Sequence, residues 1–330
     1  MTPSYLHMRF PELHDTLGRF TLGHGPSPVR LLSHLMSTLP SLWLKDDGNY
    51  GNGGWGGNKV RKLEWVLPEV TRQHRNAILT FGGLGTNWGL AATLYAREVG
   101  VHTALALIDQ PVDDHVEAQL DRLRTSGADI SLTRSKARTV AAMPYLYLRH
   151  RRPYLLPAGG SSPLGVLGYV EAGLELAAQI HAGAMPAPSS VVTAVGSGGT
   201  VAGLHLGLTL AGLTDTQVIG IVVNDKLRLD HRAITSLARR AIRLLRSRGA
   251  NLPLTQLPAG RLTLLRDWLG AGYGYPTRKG THALQLARDA EHLDLDPVYT
   301  AKAMAAVLDL AGSGRLPKGP TLYLHTYGPR

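Results

Sequence analysis

Val191-Val192-Thr193-Ala194-Val195-Gly196-Ser197-Gly198-Gly199-Thr200 reads as a buried strand running straight into a glycine turn, with a helical pattern from Val201 to Leu210 behind it. The β-branched run suits a strand covered on both faces. The glycines let successive backbone N–H groups converge, and the helix N-terminus adds partial positive charge, so the turn is built to receive a phosphate. Ser197 and Thr200 add hydroxyl donors. The turn lacks a Walker lysine and does not complete Gly-x-Gly-x-x-Gly, which argues against nucleoside triphosphates and dinucleotides. A tight strand-to-helix turn with no ligand would carry the same residues.

Working outward, the alternation continues on both sides. Strands are expected at 41–45, 77–81, 103–108, 130–133, 217–223 and 321–325. Helices are expected at 87–99, 114–125, after Lys136, and at 164–180, 231–248, 281–292 and 299–310. Residues 1–40 read as an N-terminal arm with short helices, and Pro186-Ala187-Pro188 as a boundary. Such alternation predicts an α/β fold of open, mostly parallel sheets flanked by helices.

Composition narrows the function. The chain has 330 residues, 44% apolar and 18% charged, which suits a packed protein. No apolar run approaches the ~20 residues that span a bilayer, and Met1–Phe10 has no signal-peptide pattern, so a cytoplasmic protein is expected. Cysteine is absent, excluding disulfides and thiol nucleophiles, and the 14 histidines show no ligand spacing, so no metal is expected. The net charge of +11 concentrates in 149–152 and in Arg239, Arg240, Arg243, Arg246 and Arg248, which read as the solvent face of an amphipathic helix. No nucleic-acid-binding signature accompanies them, and an anionic ligand accounts for part of the charge.

Two further loops have the composition of a site. Residues 46–57 are glycine-dense and lead into Asn58-Lys59-Val60-Arg61-Lys62-Leu63-Glu64, where Asn58 is an expected N-cap and Val60, Leu63, Leu67 and Val70 keep helical spacing. Lys59 then stands at a helix start with Arg61 and Lys62 close in sequence. Those surroundings disfavour the ammonium form and leave a nucleophilic amine. An isolated lysine is far more often merely solvated. The other loop, Phe81-Gly82-Gly83-Leu84-Gly85-Thr86-Asn87-Trp88, opens a helix whose free N–H groups suit a carboxylate.

Four motifs in this order, Gly-Gly-Asn-Lys-x-Arg-Lys-Leu-Glu at 56–64, Gly-Gly-x-x-Thr-Asn at 82–87, Gly-Ser-Gly-Gly-Thr at 196–200 and Leu-Asp-Pro-Val-Tyr-Thr at 295–300, resemble the 1-aminocyclopropane-1-carboxylate deaminase/D-cysteine desulfhydrase family. That family lies within the tryptophan-synthase-β-like, fold type II group of pyridoxal 5'-phosphate enzymes. The resemblance runs from about Leu42 to His325 and includes Pro-Ala-Gly-Gly-Ser at 157–161 and Tyr273-Gly274-Tyr275-Pro276. It implies a larger cofactor domain (1–62 and 176–330), a smaller mobile domain (63–175) and a homodimer.

By the same resemblance, Lys59 matches the Schiff-base lysine and proton carrier. Thr86 lies where the family has a serine near that lysine, and Asn87 matches the ligand of the cofactor's phenolic oxygen. The backbone at Thr86–Trp88, with Ser161, would take the substrate. Gly196, Ser197, Gly198, Gly199 and Thr200 would hold the phosphate, and Tyr273 and Tyr299 match the active-site tyrosines. Thr300 matches the position facing the pyridine nitrogen, glutamate in ring-opening relatives and threonine in desulfhydrases. A carboxylate there stabilises a protonated ring, each pKa unit being worth about 1.4 kcal/mol. A neutral hydroxyl leaves the carbanion less delocalised and suits expulsion of a β-leaving group.

The implied reaction is therefore α,β-elimination from a small amino acid, such as D-cysteine, to a 2-oxo acid and ammonia. Ring opening, β-replacement and a non-catalytic binding module are the alternatives. The chain departs from the family at Trp88, at the loop carrying Tyr50 and Trp55, and at Tyr327.

Overall fold

The structure, a computed structural model, describes residues 4–35, 41–52, 55–254 and 256–328. Residues 1–3 and 36–40 of the expected arm, and Gly53 and Gly54 of the expected loop, lie outside the described residues. Two sheets share the strands. The larger contains β1 (Val29–Leu31), β2 (Leu42–Asp46), β7 (Ser190–Val195), β8 (Gln217–Val222), β9 (Leu262–Leu265) and β10 (Thr321–His325), in the order β1-β2-β10-β7-β8-β9. Only β1 runs antiparallel to its neighbour. The smaller is parallel throughout and orders β3 (Ala77–Gly83), β4 (His102–Ile108), β5 (Asp129–Arg134) and β6 (Tyr154–Leu155) as β5-β4-β3-β6.

The α/β class expected from the alternation is thus the one observed. All of β7 is buried, as its run of Val, Thr and Ala leads one to expect. The sequence reading missed β1 and β9, the two edges of the larger sheet, and β6, an edge of the smaller one. Each is short and partly exposed, so none carries a long apolar pattern.

The helices begin where local chemistry sets them. α2 is Asn58–Arg72, α3 Asn87–Glu98, α4 Asp114–Thr125, α5 Lys136–Arg149, α6 Pro163–His181, α7 Gly199–Leu210, α8 His231–Ser247, α9 Arg278–Glu291 and α10 Thr300–Gly312, with a short α1 at Tyr5–Arg9. Asn58 is not the N-cap. Gly57, at φ +89, takes that position and frees the Asn58 side chain for the site. The arm docks through Glu171 of α6, which accepts from Ser4 Oγ and the N–H groups of Tyr5 and Leu6.

Glycines let α2, α6 and α7 approach closely. A Cβ on Gly168 would stand 2.2 Å from the Arg61 carbonyl oxygen, and one on Gly203 would stand 2.4 Å from the Tyr169 Cβ. The helix carrying Lys59 is therefore set against α6 at backbone contact distance. The basic face of α8 is only partly a solvent face. Arg239, Arg240, Arg243 and Arg246 are exposed, though Arg246 also donates to the carbonyls of Leu252 and Leu254, and the half-buried Arg248 reaches the Thr16 carbonyl and Glu69.

Candidate active site

The three loops converge on one cavity of about 500 Å³, with Lys59, Asn87 and Gly198 all on its wall. This follows from the topology, because parallel strands open their carboxyl ends on one side of a sheet. Lys59 Nζ donates to Asn58 Oδ1 at 2.5 Å, and Asn58 Nδ2 donates to Thr200 Oγ1 at 3.2 Å. The lysine turn is thereby tied to the glycine loop.

Burial pushes the Lys59 ammonium down to about 8, with the charge of Asp296 opposing the shift. The direction is the one expected, but the cause differs. Arg61 does not face Lys59. It turns to the opposite side of α2, where its guanidinium bonds Asp47 at 2.9 Å and Glu175 at 2.8 Å. Lys62, one turn on from Lys59, does share the cavity wall and donates to the Gly159 carbonyl at 2.9 Å. Burial first, and then the charge of Lys59, holds Lys62 well below the ordinary lysine value.

The glycine loop needs its glycines. Gly198 has φ +87, and a Cβ on Gly196 would stand 2.7 Å from the Tyr299 ring. The Gly199 N–H donates to Ser161 Oγ at 3.0 Å, and Ser161 Oγ lies 2.8 Å from Ser197 Oγ. Ser161 thus sits against the phosphate-type loop.

Thr86 caps α3, its Oγ1 accepting from the Gly89 N–H at 3.1 Å, which leaves the hydroxyl proton to donate elsewhere. Asn87 lines the cavity while its Oδ1 accepts from Gln119 of α4. The Trp88 indole N–H is spent on Thr80 Oγ1 at 2.8 Å, and its ring lies against Gly160, where a Cβ would stand 2.5 Å away. Trp88 therefore shapes the wall without offering that donor to a substrate.

Tyr273 and Tyr299 come together with hydroxyls 2.6 Å apart, and burial raises both. Lys302 holds the tyrosine-bearing loop from below by donating to the Leu269 carbonyl, and Asp225 accepts from the Tyr273 N–H. The Thr300 hydroxyl donates to Asp296 Oδ2 at 2.7 Å and accepts from the Asp296 N–H at 2.8 Å. Asp296, which the sequence reading passed over, lines the cavity, and its other oxygen accepts from the N–H groups of Val298 and Tyr299. An Asp-Pro pair just ahead of a helix start was the available signal.

At the rim, the Trp55 and Tyr327 rings meet edge to face with centroids 6.3 Å apart, and burial pushes Tyr327 up to about 12. Among the described residues no cluster of His, Asp and Glu could hold a metal, and no helix is long and apolar enough to cross a membrane.

The sequence pattern of one family, described as pyridoxal-phosphate dependent enzyme, matches residues 20–326 of this chain. The chain belongs to that family. Proteins named D-cysteine desulfhydrase from Salmonella schwarzengrund and Salmonella paratyphi B are each 32% identical to it, over 97% of this chain and 94% of theirs. A solved structure described as an ACC deaminase homologue superposes with a TM-score of 0.80 at 27% identity, covering 99% of this chain and 95% of that one. A threonine deaminase from Solanum lycopersicum, at TM-score 0.65 and 13% identity over 98% of this chain and 84% of its own, shares the fold.

This pyridoxal-phosphate dependent enzyme has residues that fit its cofactor. A reactive amine stands on one part of the cavity wall and a glycine turn on another, where a Cβ on Gly199 would stand 3.2 Å from Lys62 Nζ. An aldehyde and a phosphate are the groups such donors serve.

Proposed function

We propose that this enzyme catalyses α,β-elimination from a small amino acid bearing a β-leaving group such as a thiolate, with D-cysteine the first substrate to try. With water consumed, the products would be a 2-oxo acid, ammonia and the expelled leaving group, sulfide in the case of D-cysteine. One observation carries the reading: an amine, Lys59, pushed down to about 8 by burial in a cavity that also contains a phosphate-type turn. The D-cysteine desulfhydrases similar over nearly the full chain support the choice of leaving group.

When bound, pyridoxal phosphate supplies an electron sink for the substrate α-carbon. Gly196–Thr200 and Lys62 would hold its phosphate. Lys59 would hold the aldehyde end of the cofactor and would move the substrate α-proton. The Thr86 hydroxyl and the N–H groups opening α3 orient the substrate carboxylate, and Trp88 limits its side chain. Tyr273 and Tyr299 hold one proton between two oxygens beside the reacting centre. Thr300, with its hydroxyl proton committed to Asp296, replaces the carboxylate expected of a ring-opening enzyme. Ring-opening deamination is the second reading, favoured by the similarity to the ACC deaminase homologue. The division into a larger unit (1–62, 176–330) and a smaller, mobile one (63–175), a homodimeric state and a cytoplasmic location belong to this proposal. The partition of strands between the two sheets supports the first.

The purified protein is expected to be yellow, and Lys59→Ala to lose covalently held cofactor and about 10³-fold or more in turnover. A panel of D- and L-amino acids, assayed for 2-oxo acid, ammonia and sulfide, decides the reaction. Turnover of 1-aminocyclopropane-1-carboxylate with no sulfide from either cysteine enantiomer would sink elimination.

A further inference from the structure

Helix α4 reaches the site from a side that the sequence left unread. His115, Gln119 and Arg122 recur at helical spacing and share one face of it. Each touches the wall of the cavity. The His115 ring lies 6.1 Å from Tyr327, the Arg122 guanidinium lies 5.6 Å over Trp55, and Gln119 Nε2 donates to Asn87 Oδ1 at 3.0 Å. Gln119 is wholly buried, and its Oε1 accepts from Arg122 Nη1 at 3.3 Å.

These bonds have a direction. A guanidinium donates and never accepts, so Arg122 claims the carbonyl end of the Gln119 amide. Gln119 is left with its NH2 end for Asn87. Asn87 must then meet Gln119 with its own carbonyl oxygen, which turns its NH2 toward the cavity. Polarity passes from Arg122 through two amides, and what the cavity receives is a donor. Had Gln119 served only to fill space, an apolar side chain would have avoided burying an amide.

We propose that Gln119 is a positioning residue that, steered by Arg122, locks the Asn87 amide with its NH2 toward the cavity, so that the site presents a donor to an anionic oxygen of the cofactor. This rests on the reading of Asn87 as the partner of the cofactor's phenolic oxygen.

The test uses the full-length protein loaded with pyridoxal phosphate, with two readouts besides activity: the cofactor dissociation constant and the pH midpoint of its visible band. Gln119→Glu offers Asn87 only acceptors, reverses its amide and turns a carbonyl oxygen into the cavity. The dissociation constant should rise roughly tenfold, and the midpoint should move up by about one unit, the scale of one lost hydrogen bond to a charged group. Gln119→Leu keeps the volume without steering, and should give shifts of the same sign and roughly half the size, so a poorly folding Gln119→Glu would not remove the test. Combined with Asn87→Ala, neither variant should add to the effect of Asn87→Ala alone, because Gln119 acts through that amide.

Gln119 variants that leave both readouts unchanged while Asn87→Ala shifts them would overturn the inference alone, as would effects that add to those of Asn87→Ala. An Asn87→Ala protein indistinguishable from the parent would overturn the reading of Asn87 itself, and the inference with it.

Discussion

Lys59 and Arg61 are two residues apart on one helix, and both lie in protein surroundings, yet their fates are opposite. Arg61 meets Asp47, Glu175 and the Tyr50 ring, to whose centroid its guanidinium carbon lies 3.9 Å away. Lys45 and Gln179 extend that network on the far side of Glu175 and bond to each other. Lys59 meets an amide oxygen, and a single carboxylate, Asp296, whose oxygens are already taken by four donors. Two positions turn a side chain through about 200° of helix, enough to pass from a neutralised core to a cavity. A buried cation becomes structural or reactive according to whether carboxylates share its side of the helix.

The largest effect should come from the structural member. Arg61→Leu leaves Asp47 and Glu175 without their main counter-charge and should cost about 3–5 kcal/mol in chemical denaturation. An unchanged denaturation midpoint would erase the distinction between the two sides. Next comes Lys62, which stands on the reactive side and should behave accordingly. Lys62→Met should weaken cofactor binding by roughly 10- to 100-fold, about 1.4–2.8 kcal/mol, and leave stability of the cofactor-free protein unchanged or improved, since the buried amine it removes is held by a carbonyl and no carboxylate among the described residues. A fall in cofactor-free stability would instead place Lys62 with Arg61.

The smallest effect is a matter of pH. Lys59 is pushed down to about 8, below the free-lysine value, so its neutral fraction grows about tenfold per unit up to that point and levels off above it. The rate at which cofactor-free protein acquires its visible band should follow that curve. A rate still climbing tenfold per unit beyond pH 9 would mean that the cavity does not depress this amine.

What the sequence made legible was whatever glycine punctuates. The turn at 196–200, the one at 82–87 and the approach to Lys59 were readable from their clustered glycines, of which Gly57 and Gly198 sit at positive φ, and the βα alternation set the fold class. Partnerships formed across elements were hidden. Nothing local announces that Gln119 will reach Asn87, that Ser161 will bond the 196–200 turn, or that the Trp88 indole will be spent on Thr80 and settle over Gly160. The Arg61–Lys59 contrast was hidden too, because it depends on where Asp47 and Glu175 arrive in space. Asn58 showed the converse error, a good capping residue displaced from the cap by a glycine in a left-handed turn.

β10 lies between β2 and β7, in the middle of the larger sheet, and His325 meets Asp46 across 279 positions of sequence. The carbonyl of Thr326 accepts from the Asn58 N–H at the start of the Lys59 helix. During synthesis, the strands that flank this gap are made long before the strand that fills it. A growing chain must keep two half-sheets apart, or hold them loosely, until Thr321–His325 has left the ribosome. Pairing at such long range is slow to close. The Lys59 turn is completed at the same moment, so the yellow colour of a nascent chain should report arrival of its middle strand.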